Sequence, residues 1–119
     1  MIIGFNPRFI GKILSGTKIH TIRADVNDQW KQGREIQFAT GVRTKFYEQF
    51  KYGVCVSVQK IKIEYCGIVQ VIYVDGKKLG IYGLSRLARN DGFNNLDDFF
   101  EWFNKDFTGK IIHWTGFRY

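Results

Sequence analysis

Hydrophobic and polar positions in this chain follow two different periods, and each marks out an element. Ile10, Ile13 and Leu14 recur at i, i+3 and i+4, the apolar stripe of a helix. Asn6 precedes them as an N-cap residue type. Pro7 falls at the first helical position, where its fixed φ fits and its missing N–H costs nothing. Phe5 is spaced to staple onto Ile10, and Gly16 follows as a left-handed stop. These positions predict a strand over residues 2–5 and a helix over 7–15. Residues 17–23 are rich in β-branched side chains and read as extended. Residues 35–39 form another strand, and 42–50 a basic, aromatic loop or irregular strand. Val54, Val56 and Val58 alternate with Cys55, Ser57 and Gln59, and Ile61 and Ile63 alternate with Lys60 and Lys62. That period-two run predicts one long strand with a wet face or a bulge near its middle.

The second half repeats the switch. Residues 68–74 read as a strand, Asp75-Gly76 as a hairpin turn and 77–82 as the return arm. Leu84, Leu87 and Ala88 suggest a short helix, broken at Asn90-Asp91-Gly92. Asn95 caps a further helix, with Asp97 and Asp98 in the turn where the macrodipole favours them. Its stripe runs through Leu96, Phe99, Phe100, Phe103 and Phe107, a pattern that fits a core better than a cofactor site. Gly109 ends it, and residues 110–115 make a final strand. Strands outnumber helices, which predicts an α+β single domain over residues 1–119. Its expected form is a small β-barrel of about five to seven strands with two or three packed helices.

Charge sharpens this picture. The net charge is +7, and it is unevenly placed: residues 1–62 carry eleven cations against four acids, residues 63–119 seven against seven. The whole excess lies in the first half. Such asymmetry points to a polyanionic partner, nucleic acid first among them; the plainer alternative is a basic domain with no such partner. No apolar run approaches the roughly 20 residues of a membrane span, and the first nine residues lack the features of a secretory signal. Cys55 and Cys66 have neither CxxC nor Cys/His ligand spacing, which predicts buried free thiols. The expected setting is cytoplasmic, with no membrane partner, no cofactor and no metal.

The chemistry concentrates in Gly16-Thr17-Lys18-Ile19-His20-Thr21-Ile22-Arg23, where two cations, a histidine and two threonines fall within eight residues. Arg43 and Lys45 stand beside Phe46 and Tyr47, the cation-and-ring mixture on which single-stranded nucleic acid stacks; alternatively the rings are core and the cations simply solvate the loop. Lys18, His20, Arg23, Arg43 and Lys45 are therefore the candidate nucleic-acid contacts. His20 and His113 have no metal-ligand spacing. They are either an acid–base pair for RNA cleavage or one surface and one core histidine.

The run from Ile13 to Arg23, followed by Gly33 and Ile36, resembles the signature of ASCH domains, which belong to the PUA-like superfamily of small β-barrels. Leu87-Ala88-Arg89-Asn90-Asp91-Gly92-Phe93 and the helix carrying Phe99 and Phe103 resemble the second block of that family. The resemblance implies binding of RNA or of a modified nucleoside. One branch of the family hydrolyses N4-acetylcytidine with a lysine, a threonine and a glutamate. Lys18 and Thr21 match the first two, and Asp91, one C–C bond shorter, stands nearest the third. The resemblance thus implies Thr21 as nucleophile, Lys18 as base and Asp91 as acid or orienting group, with a ribonuclease as a further possibility. The residues also allow another set of roles, with Lys18 a charged phosphate contact, Thr21 a strand residue and Asp91 a turn former. Strand periodicity adds a condition. Residues three apart on a regular strand face opposite sides, so a site shared by Lys18 and Thr21 requires a backbone irregularity between them.

Overall fold

The computed structural model describes residues 1–119. Strand β1 (Ile2–Gly4) leads into a 3₁₀ turn, Pro7–Phe9, and helix α1 (Ile10–Leu14). The Asn6 side chain accepts from Arg8 N at 3.0 Å, and Gly16 leaves the helix at φ +83°, so both ends form as their residue types dictate. There follow β2 (His20–Arg23), β3 (Glu35–Thr40), β4 (Glu48–Val54), β5 (Ser57–Cys66), β6 (Val69–Val74) and β7 (Lys77–Lys78). Helices α2 (Ile81–Asn90) and α3 (Leu96–Trp102) and strand β8 (Phe107–His113) complete the chain.

The eight strands make two sheets. One has the order β1-β3-β4, with β1 parallel to β3; the other is antiparallel in the order β2-β8-β5-β6-β7. The strand pairings leave both sheets with open edges. Phe5 and Phe38 of the first sheet's side stack at 5.7 Å, and both meet Trp114, beyond β8, edge-on. Ile61, Ile63, Ile72 and Ile111 of the second sheet are fully buried in one cluster with Leu87, Ala88 and Phe99 from the helices. Lys60 and Lys62, the alternate positions of β5, are exposed, as a one-face-wet strand requires.

The predicted long strand is two strands. Cys55 N still bonds Arg34 O beside β3 at 2.8 Å, and Val56 N already bonds His113 O of β8 at 2.8 Å. The break at Cys55–Val56 is where the chain changes sheets, a larger departure than a bulge. The Asp75-Gly76 turn forms as predicted, with φ +50° and +81°. Its return arm is only two residues long, because α2 begins at Ile81. The loop before β4 turns on Gly41 and Arg43, both at positive φ.

Helix α3 stops at Trp102, well short of Phe107. Phe103 and Phe107 still pack together at 5.4 Å, but Phe107 does so from β8. Helical spacing continued past the helix because both residues face the core by different routes. Gly109 is therefore not a helix stop. It lies inside β8, where an added Cβ would sit 2.3 Å from Arg23 O. Cys55 is buried as predicted, whereas Cys66 is exposed. No helix is long and apolar enough to cross a membrane.

Candidate functional site

Lys18 owes its place to two backbone bonds. Lys18 N donates to Lys12 O at the end of α1, and Ile19 N donates to Asn90 O at the end of α2, each at 2.9 Å. The segment is thus clamped between two helix ends before β2 begins at His20. Strand alternation does not apply to Lys18, which removes the conflict between its side chain and that of Thr21. Both line one cavity of about 330 Å³, together with Arg23 and Asp91.

Asp91 is the C-cap of α2, and its N–H bonds Leu87 O at 3.0 Å. A carboxylate at this end meets the negative pole of the helix and needs compensation. Lys18 Nζ donates to Asp91 Oδ1 at 3.0 Å and to the Asp91 carbonyl at 2.5 Å, and His20 Nδ1 lies 3.2 Å from the same Oδ1. Gly92 follows at φ +94°, and a Cβ there would approach Lys18 Cδ and Phe9 Cδ1 at 2.9 Å. Only glycine meets both demands. Lys12 Nζ holds this turn from outside, through Gly92 O at 2.8 Å and Asn94 Oδ1 at 2.6 Å.

Burial holds the Lys18 amine below its ordinary pKa. The Asp91 carboxylate opposes that fall, while Arg23 and Lys12 add to it. Its Nζ also sits 4.9 Å from the centre of the Phe9 ring. Arg23 lies 5.1 Å over Phe5, donates from Nη2 to Gly4 O at 2.9 Å and from Nε to Thr21 Oγ1 at 3.1 Å. Burial lowers the Arg23 guanidinium too, against Asp91, yet an arginine stays charged at neutral pH. Thr21 therefore takes its hydrogen bond from Arg23, and its own hydroxyl proton is free to point into the cavity. Phe5, Phe9, Phe93 and Trp102 supply aromatic wall, giving an apolar slot with a few converging polar groups.

The other candidates fall elsewhere. His20 and His113 are both fully buried, with ring centroids 5.3 Å apart. Neither is the expected surface histidine, and neither can touch an RNA backbone. Burial, with His20 and Arg118 nearby, pulls His113 down to about 3, too low for acid–base work near neutrality. Burial lowers His20 as well, against Asp91. Lys18, 2% exposed, reaches only what enters the cavity. Arg43 and Lys45 are exposed on the β3–β4 connection and do not line it. Their loop starts beside it, since a Cβ on cavity-lining Gly4 would stand 3.0 Å from Val42 Cγ2. Lys45 Nζ lies 5.3 Å over the exposed Phe46 ring.

Sequence reasoning missed the aromatic walls and Tyr119, whose hydroxyl lies 2.6 Å from His20 Nε2. Phe93 beside Gly92 was a signal within reach. Nothing local connects residue 119 to residue 20.

No family model and no solved structure matches the chain. Among curated proteins it is similar to "Uncharacterized protein P23" of Formosa agariphila, 28% identical over 86 residues. The match covers 71% of this chain and 19% of the relative's length.

Proposed function

We propose that the chain is an ASCH-type domain of the PUA-like class whose cavity takes a modified nucleoside, free or within RNA. The convergence of Lys18, Thr21, Arg23 and Asp91 on one aromatic-walled cavity supports this reading. Rings at Phe5, Phe9 and Phe93 suit the faces of a base, and the polar groups suit its edge. The exposed Arg43 and Lys45, on a loop that starts beside the cavity at Val42, suit the backbone of a longer RNA.

One observation favours a second reading, hydrolysis of N4-acetylcytidine-type amides. The Lys18 amine is held below its ordinary range in the same cavity as the Thr21 hydroxyl. Neutral Nζ would take the hydroxyl proton as Oγ adds to the acetyl carbonyl. Collapse of the tetrahedral intermediate breaks the bond to N4, and Lys18 returns the proton to the leaving amine. Water then cleaves the acetyl–threonine ester, releasing acetate. Asp91 orients the amine throughout.

Calorimetric titration with N4-acetylcytidine and cytidine, with product analysis by mass spectrometry, tests both readings. Binding is expected, weakened at least about tenfold in Arg23→Ala through loss of a charge-assisted contact. Cytidine and acetate are expected from wild type and not from Lys18→Ala. Binding without turnover removes hydrolysis; no binding of either nucleoside removes the nucleoside reading.

A further inference from the structure

A chain of hydrogen bonds runs from the half-buried Asn90 and Tyr119 through the buried His20 and ends on Asp91. Asn90 Nδ2 donates to the Tyr119 hydroxyl at 3.0 Å. With its oxygen accepting there, the hydroxyl has one proton, and the acceptor in reach is His20 Nε2 at 2.6 Å. Nε2 is then the unprotonated nitrogen, and Nδ1–H donates to Asp91 Oδ1 at 3.2 Å. Every donor in the series points the same way, toward the carboxylate.

The neighbouring ring has the opposite arrangement. Gln59 Oε1 accepts from Tyr119 N at 2.9 Å, and its Nε2 donates to Asp75 Oδ2 and Tyr119 O. The oxygen end of this amide therefore faces His113, whose Nε2 at 3.0 Å must be the protonated nitrogen. His113 Nδ1 has no partner.

Two donors, Lys18 Nζ and His20 Nδ1, thus converge on one carboxylate oxygen. Asp91 Oδ2 has no hydrogen-bond partner in the chain, is not sealed from solvent, and belongs to a cavity-lining residue. We infer that His20, locked as its Nδ1–H tautomer by Tyr119 and Asn90, is a positioning residue that pins Asp91 Oδ1 and leaves Oδ2 to accept an N–H from the ligand. This rests on the nucleoside reading of the cavity and names the group it selects: an amide or amine N–H at the edge of the base. His20 touches no ligand and acts only through Asp91.

Two measurements on the full chain test this separately. With ¹⁵N-labelled histidine, long-range ¹H–¹⁵N correlation reads each ring directly. His20 is expected as Nδ1–H and His113 as Nε2–H, with His20 unchanged between about pH 5.5 and 8. An Nε2–H tautomer, or an imidazolium, at His20 overturns the inference whatever the ligand experiment gives. The second measurement compares N4-acetylcytidine with its N4-methylated analogue, which lacks the N–H. Wild type is expected to prefer the N–H ligand by about tenfold. His20→Asn, whose amide can donate where Nδ1 does, retains the preference, and His20→Leu loses it. An equal preference in all three proteins overturns the positioning role, because mere loss of stability does not change a ratio of affinities. Failure of wild type to bind either ligand overturns the nucleoside reading instead, and the tautomer result still stands.

Discussion

Lys18 is 2% exposed, and the side chains around it decide what its amine can do. Asp91 supplies the compensating charge, and removing one partner of such a buried pair typically costs about 3–5 kcal/mol. The histidines behind it make stability sensitive to acid. Both have folded pKa values below their ordinary value, His113 at about 3. Between pH 3 and 6.5 the unfolded chain therefore binds more protons than the folded one, and stability rises with pH across that window. Acidification from pH 6.5 toward 3 should lower stability, with His113 alone contributing a slope of up to about 1.4 kcal/mol per pH unit. Urea denaturation at several pH values in that range measures the slope. His113→Gln, which keeps a donor toward Gln59, should be flatter; an unchanged slope would show that His113 is not the source.

The elements hold the site through close backbone approaches. The turn after α2 sets Asp91, Gly92 leaves room for Lys18 and Phe9, and Gly109 lets β8 come close to Arg23 O. A methyl group at position 109 meets backbone that cannot rotate away, so Gly109→Ala is expected to destabilise by at least about 2 kcal/mol. Gly11 is the counter-case. It sits exposed in α1, and an added Cβ would meet nothing within 4 Å. Gly11→Ala should stabilise by about 0.5–1 kcal/mol, the usual helical penalty of glycine. Parallel denaturant titrations compare the two, and equal effects would refute the steric account of β8.

For the whole molecule, the uneven charge acquires a location. Arg43 and Lys45 stand exposed on a loop that starts beside the cavity, and Lys45 covers an exposed ring. If RNA follows this loop, each of Arg43→Ala and Lys45→Ala should weaken binding across sequences and reduce the slope of log K against log salt by about one. Filter binding over a salt series reads both quantities. Affinity indifferent to salt would remove the electrostatic role of the loop while leaving the cavity untouched.

Local rules determined much of this protein from sequence. The Asn6–Pro7 start and Gly16 stop of the first helix, the Asp75-Gly76 turn, the Asn95 cap and the alternation along β5 each depend on a few adjacent residues, and each formed as its residues require. Lys18, Thr21 and Asp91 were legible as candidates too, by residue type and by resemblance. Tertiary structure decided the rest, because the deciding contacts join distant residues. Cys55–Val56 had to choose between two sheets, and Phe107 between a helix and a strand; Cys55 is buried and Val56 exposed where the chain crosses, and Phe107 packs half-buried from β8, outcomes that hydrophobic spacing alone could not separate. His20 became an interior ring because Asp91 and Tyr119 arrive from 71 and 99 residues away. Lys18 faces the same cavity as Thr21 because two helix ends hold its backbone off the strand.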